Sequence, residues 1–204
     1  MEIAVSRRLL VGTNNTGKAR EISALVQALD VAVVLPRDLG ITATPPEHGP
    51  TFQANALLKG RFFSEAAGLP CLADDSGLEV DALAGRPGVF SSRYAPTDAE
   101  RIARLLDEMR HAPRNERTAR FVCAAALVDV SAGTEVVETG QCEGAIAEAP
   151  RGGKGFGYDP VFYLPDMGRT MAEITFEEKN ARSHRGKALA ALLPHIRRAF
   201  ELPT

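Results

Sequence analysis

The chain has 204 residues, 45% of them hydrophobic and 25% charged, the profile of one globular domain spanning residues 1–204 that can bury its own core without disulfides or structural zinc. Its 24 Lys and Arg stand against 26 Asp and Glu, a formal net charge of -2, which excludes a protein that holds duplex nucleic acid by an excess of cations. Cys71, Cys123 and Cys142 form no Cys-x-x-Cys pair, and no stretch approaches the ~18 uncharged apolar residues of a membrane span, so a cytoplasmic protein with no membrane or nucleic-acid partner is expected.

Arg8 to Thr13 reads as a strand, and Ile22, Leu25, Val26 and Leu29 recur at the spacing of a helix face. Val31 to Leu35 is β-branched and short, a second strand, before a long loop from Pro36 to Pro50. Good helix formers run from Thr51 to Ala67, with Gly60 in the middle and Gly68 as terminator. Leu69 to Ala73 should be a strand leading into Asp74-Asp75-Ser76-Gly77. Thr97 and Glu100 form a capping-box signature for a helix over about Asp98 to Met109. Phe121 to Val130 is a continuous apolar run, as in a strand covered on both faces, and Glu135 to Ile146 looks like its neighbour. Leu189, Leu192, Leu193, Ile196 and Phe200 mark a C-terminal helix that Pro194 should kink or delay. Long strand candidates that follow each other directly favour an α/β class with a mixed sheet and flanking helices.

Four segments carry residues suited to chemistry. Gly12-Thr13-Asn14-Asn15-Thr16-Gly17-Lys18 fits the first seven positions of a P-loop, but the eighth, which must ligand Mg²⁺ with a hydroxyl, is Ala19. What survives is an anion site made of helix-start N–H groups and one lysine; an ordinary turn and helix start would read the same. In Asp74-Asp75, neighbouring strand residues point to opposite faces, so one is the metal ligand and the other faces elsewhere, unless the pair only caps a turn. Glu47 is a candidate second carboxylate, and such hard oxygen ligands suit Mg²⁺ or Mn²⁺. Gly152 to Pro160 is glycine-rich yet holds Phe156, which can stack on a base, and Asp159, which can accept a hydrogen bond; the alternative is a hairpin with an apolar anchor. Glu177 to Lys187 brings four cations and His184 in front of a helix, either as a solvated face or as a phosphate and base contact.

Together these segments ask for a ligand with several phosphates, a divalent metal and a planar ring. Thr13 to Lys18, Thr51 to Ala56, Ala73 to Asp81, Pro87 to Tyr94, Gly155 to Pro160 and Ser183 to Gly186, in this order and across nearly the whole chain, closely resemble the inosine/xanthosine triphosphate pyrophosphatase family. The resemblance implies an elongated, two-lobed α/β fold with a long mixed sheet, a central substrate cleft and a homodimer. It also implies Mg²⁺-dependent hydrolysis of ITP, dITP and XTP to the monophosphate and pyrophosphate, removing them from the nucleotide pool. By position, Asp75 would be the catalytic residue and a metal ligand, with Glu47 a further ligand. Thr13, Asn14, Asn15, Thr16, Gly17 and Lys18 would line the phosphates, and Ser76 would contact substrate. Phe156, Gly157, Tyr158 and Asp159 would hold the nucleoside, and Lys179, His184 and Arg185 would complete the pocket. Family members often carry Ser-x-Asn where this chain has Thr13-Asn14-Asn15, a departure that keeps the hydroxyl. A kinase and a nucleotide sensor without turnover are the rival classes; the first would leave a diphosphate and the second no product.

Overall fold

The computed structural model describes residues 7–45 and 47–203; the part of the N-terminal stretch before Arg7, read above for a membrane span, lies outside them. Seven strands lie in one open mixed sheet: β1 (Arg8–Val11), β2 (Ala32–Val34), β3 (Cys71–Val80), β4 (Thr118–Asp129), β5 (Thr134–Ile146), β6 (Phe162–Leu164) and β7 (Arg169–Thr170). Their order is β2-β1-β3-β4-β5-β6-β7. β1 runs parallel to both β2 and β3, while β6 is antiparallel to β5 and β7. Parallel neighbours need long crossovers, and α1 (Thr16–Val26) and α2 (Phe52–Ala67) lie on the segments that connect β1 to β2 and β2 to β3. The sheet is mixed, as the directly successive long strands suggested.

The chain divides into two compact units. The first takes the chain up to Asp75, Ala124–Thr139 and everything from Ala188; the second takes Ser76–Cys123 and Gly140–Lys187. In the first, Leu10, Phe63, Cys71 and Ala73 form a core against which Val34, Leu39 and Ile41 pack. Gly60 is explained here, because a Cβ at that position would sit 2.6 Å from the Val128 side chain; the glycine lets α2 approach β4 closely. In the second unit, α3 (Asp98–Glu108) starts on the expected Thr97/Glu100 capping box. It buries Ile102 and Leu105 among Leu78, Val80, Phe121, Phe162 and Ile174. Burial pushes the thiols of Cys71 and Cys142 up, so both stay protonated.

Three expectations are corrected. The strand read as Leu69 to Ala73 is the ten-residue β3, so Asp74-Asp75-Ser76-Gly77 lies inside a strand and not on a turn after it. The run from Glu177 to Lys187 does not precede a helix but is helical itself: α4 (Phe176–Arg182) is capped by Thr175 and Glu178, and α5 (His184–Ala199) follows at once. Pro194 delays nothing, since α5 begins ten residues before it. The hydrogen bond it forfeits would go to the carbonyl of Ala190. Ala190 is exposed, so water can take the carbonyl while buried Leu189, Leu192 and Ile196 hold the helix down.

Candidate active site

The carboxylates gather in the first unit. Alternation along β3 sends Asp74 and Asp75 to different partners. Asp74, 2% exposed, lies 3.1 Å from Lys18 Nζ. Asp75, 7% exposed, accepts from Lys59 Nζ at 2.8 Å through Oδ1 and from Asn55 Nδ2 at 3.1 Å through Oδ2. Lys59 also donates to Glu47 Oε1 at 3.0 Å. Asn55, itself fully buried, takes the Gly49 N–H at 2.7 Å and so ties the long loop carrying Glu47 to the strand carrying Asp75.

Lys59 is thus a buried ammonium between two acids. Burial opposes its charge, but Asp75, Asp74 and Glu47 outweigh that and hold its pKa above the ordinary value. Neither Lys59 nor Asn55 drew a role from the sequence alone. A lysine in a helix usually snorkels to solvent; the signal was the i, i+4 spacing from Asn55 to Lys59, which puts an amide and an amine on the face that also buries Phe52, Ala56 and Phe63.

The loop from Thr13 to Lys18 opens α1 in the same unit. Asn15 is the N-cap and accepts the Lys18 N–H at 3.0 Å, and its own N–H reaches Thr13 Oγ1 at 3.2 Å. No acidic side chain lies in the first turn, which leaves the positive end of the helix to an anion. Asn14, Asn15 and Thr16 are exposed, and Thr13 and Gly17 half-buried. Gly12 serves the fold: a Cβ there would meet Cys71 Sγ at 2.7 Å and Phe63 at 2.8 Å. Ala19, where a P-loop needs a hydroxyl, is buried.

The aromatic and cationic residues gather in the second unit. Phe156 is half-buried on its loop, with Lys179 Nζ 4.7 Å and the Arg185 guanidinium 5.9 Å from its ring centre. Arg185 is 1% exposed and donates to Ser76 Oγ at 2.8 Å. His184 stacks on Phe121, centroids 4.7 Å apart. Asp159 is turned inward: its Oδ2 accepts from Phe156 N at 2.9 Å and Lys179 Nζ at 2.5 Å. Tyr158 is likewise an anchor, its hydroxyl donating to the Ser91 carbonyl at 3.0 Å. These two hold the loop from beneath. A separate cavity of 520 Å³ in this unit, lined by Arg114, Arg117 and Tyr163, holds none of these groups; the Arg117 guanidinium is taken up by the carbonyls of Met109, Ile146 and Ala147.

The donor set suits a hard divalent cation. Asp75 and Glu47 present carboxylate oxygens to one point, held by the Lys59 ammonium, and Mg²⁺ is usually bound by one or two carboxylates with phosphates and water completing its shell. Among the described residues no group of three His, Cys, Asp or Glu side chains is placed to hold a metal.

Residues 9–195 match the model of the Ham1 family. The dITP/XTP pyrophosphatase of Geobacillus kaustophilus is 51% identical over 189 residues, 91% of this chain and 92% of its own. That of Thermus thermophilus is 50% identical over 188 residues, 91% of this chain and 90% of its own. A solved HAM1 protein from Coxiella burnetii superimposes with a TM-score of 0.84 at 41% identity, covering 94% of this chain and 99% of its own. The Staphylococcus aureus Ham1 protein gives 0.83 at 34%, covering 95% and 100%.

Proposed function

Because the chain belongs to the Ham1 family, we propose that it is a nucleoside triphosphate pyrophosphohydrolase that cuts ITP, dITP and XTP between the α and β phosphates, releasing the monophosphate and pyrophosphate. The observation that carries this reading is Asp75, a buried carboxylate fixed on both oxygens by Lys59 and Asn55 and followed on the same strand by Ser76, to which Arg185 is bonded. Such fixing matches a residue that must orient water with little reorganisation.

Asp75 takes a proton from water as the oxygen attacks phosphorus in line with the leaving pyrophosphate. Lys18, held by Asp74, and the helix-start N–H groups of Asn14, Thr16 and Gly17 take the negative charge of the phosphate tail, since those of Thr13, Asn15 and Lys18 are bonded within the loop. Mg²⁺, held by Asp75 and Glu47 together with substrate oxygens, would supply charge neutralisation at the phosphates. The face of Phe156 takes the purine, and the donors Lys179, His184 and Arg185 favour a 6-oxo group, which accepts, over a 6-amino group, which does not. The resemblance to the family supports a homodimer working in the cytoplasm.

The test is a panel of nucleoside triphosphates with phosphate and pyrophosphate assayed separately. ITP, dITP and XTP should give equimolar monophosphate and pyrophosphate and outpace ATP. Diphosphate as product points to a kinase or phosphatase, and binding without product to a sensor.

A further inference from the structure

The loop bearing Phe156 is held from two sides by carboxylates, and only one of these, Asp159, belongs to the loop. Asp159 Oδ2 takes the N–H of Phe156 at 2.9 Å. The next N–H along the chain, that of Gly157, donates to Asp98 Oδ2 at 2.7 Å. The peptide units before and after the Phe156 Cα are therefore each pinned by a charged acceptor, which restrains both backbone dihedrals of Phe156 and with them the direction in which its side chain leaves the backbone. Gly157 has a φ of +61°, a conformation that a glycine holds without strain and that needs a partner to be selected over its alternatives.

Asp98 keeps 48% side-chain exposure but is anchored on both oxygens. It is the first residue of α3, directly after the Thr97 cap. Its other oxygen lies 2.6 Å from Arg101 Nη1, and Arg101 also donates to the carbonyls of Ala95 and Pro96 at 2.9 and 3.2 Å. The helix behind it is buried through Ile102 and Leu105 in the core that also holds Tyr158.

We propose that Asp98 is a positioning residue for base recognition: it touches no substrate but transmits the rigidity of α3 to the Phe156 ring. The inference rests on the proposed function, in which that ring receives the purine. Stacking acts alike in ground and transition states, so loss of positioning should appear in KM and spare kcat.

The experiment measures ITP hydrolysis by wild type, Asp98→Ala, Asp98→Asn, Phe156→Ala and the Asp98→Ala/Phe156→Ala double variant, with thermal midpoints. A hydrogen bond to a charged group corresponds to about tenfold or more, so Asp98→Ala should raise KM about tenfold with kcat within about threefold. Asp98→Asn keeps an acceptor oxygen and should recover most of the affinity. The double variant should be no weaker than Phe156→Ala alone, because no ring remains to position. A wild-type KM in Asp98→Ala, a loss confined to kcat, or equal losses with and without Phe156 overturns the role of Asp98. Failure of the wild type to release pyrophosphate from ITP overturns the functional reading and this inference with it.

Discussion

Replacing Lys59 with Met keeps most of the stem and removes the charge that Asp75 and Glu47 share. Breaking a buried ion pair from one side costs about 3–5 kcal/mol, because the acids left behind are desolvated and repel each other. The lower end applies here, since the Glu47 side chain keeps 30% exposure and Asn55 still donates to Asp75. For a chain of this size ~3 kcal/mol lowers the thermal midpoint by roughly 6–12 °C. The pH dependence has a definite sign. Lys59 has a folded pKa above its ordinary 10.5, so its contribution is complete below that value and fades only as pH rises through the folded pKa. The gap between wild type and Lys59→Met should thus stay constant from neutral pH to about pH 9 and narrow in strong alkali. Added Mg²⁺ should stabilise Lys59→Met more than wild type, because in the wild type the Lys59 ammonium already offsets the charge of the same two carboxylates. Scanning fluorimetry with and without Mg²⁺ measures both effects. An unchanged midpoint refutes the shared ion pair, and equal Mg²⁺ shifts in both proteins refute a common site.

Asp75→Asn should abolish turnover while substrate still binds, and Asp74→Asn should reduce it less; steady-state kinetics with direct binding of ITP separates the two, and equal losses would mean that both acids serve the chemistry. Lys18→Ala should weaken triphosphate binding far more than monophosphate binding in calorimetric titrations; an equal loss would move Lys18 to the fold. Arg185→Gln should lower kcat/KM for ITP much more than for ATP, so that the ratio collapses, and a common loss factor would assign Arg185 to the phosphates or to packing beneath Ser76.

The long elements were legible because their signals are local. The Thr97/Glu100 box, the Gly68 terminator and the unbroken apolar run of β4 each declare an element through nearby residues. β6 and β7, at three and two residues, carry too little periodicity to read, and they exist through pairing with β5 and with each other. The extension of β3 was hidden because Asp-Asp-Ser-Gly has turn chemistry, and only burial and distant partners keep it extended. At the site, the acids and the cation-rich run stood out by residue type. The partners of each charge did not, since Lys59 with Asp75 and Arg185 with Ser76 are separated by 16 and 109 residues. A loop sequence likewise does not say which side chains turn inward, as Tyr158 and Asp159 do toward Ser91 and Lys179.

The pairing of acids with lysines carries one further step. Asp74 and Asp75 are adjacent and both buried, so each needs a partner to offset the hydration it loses. Each has its own ammonium, Lys18 at 3.1 Å and Lys59 at 2.8 Å. The two pairs differ in what else shares the lysine. Lys18 is the third residue of α1, its side chain 15% exposed, on a helix end that has no acid of its own, so under the proposed function a phosphate at that helix end would draw on its charge while Asp74 keeps it in place. Lys59 is enclosed by Asp75, Glu47 and Asn55, and a phosphate has no such access to it; its charge balances acids that a divalent cation could balance instead. On the function proposed above, one strand therefore carries two ion pairs of the same composition with different duties: the first would present a cation to the substrate and the second would keep Asp75 and Glu47 ionised for a metal.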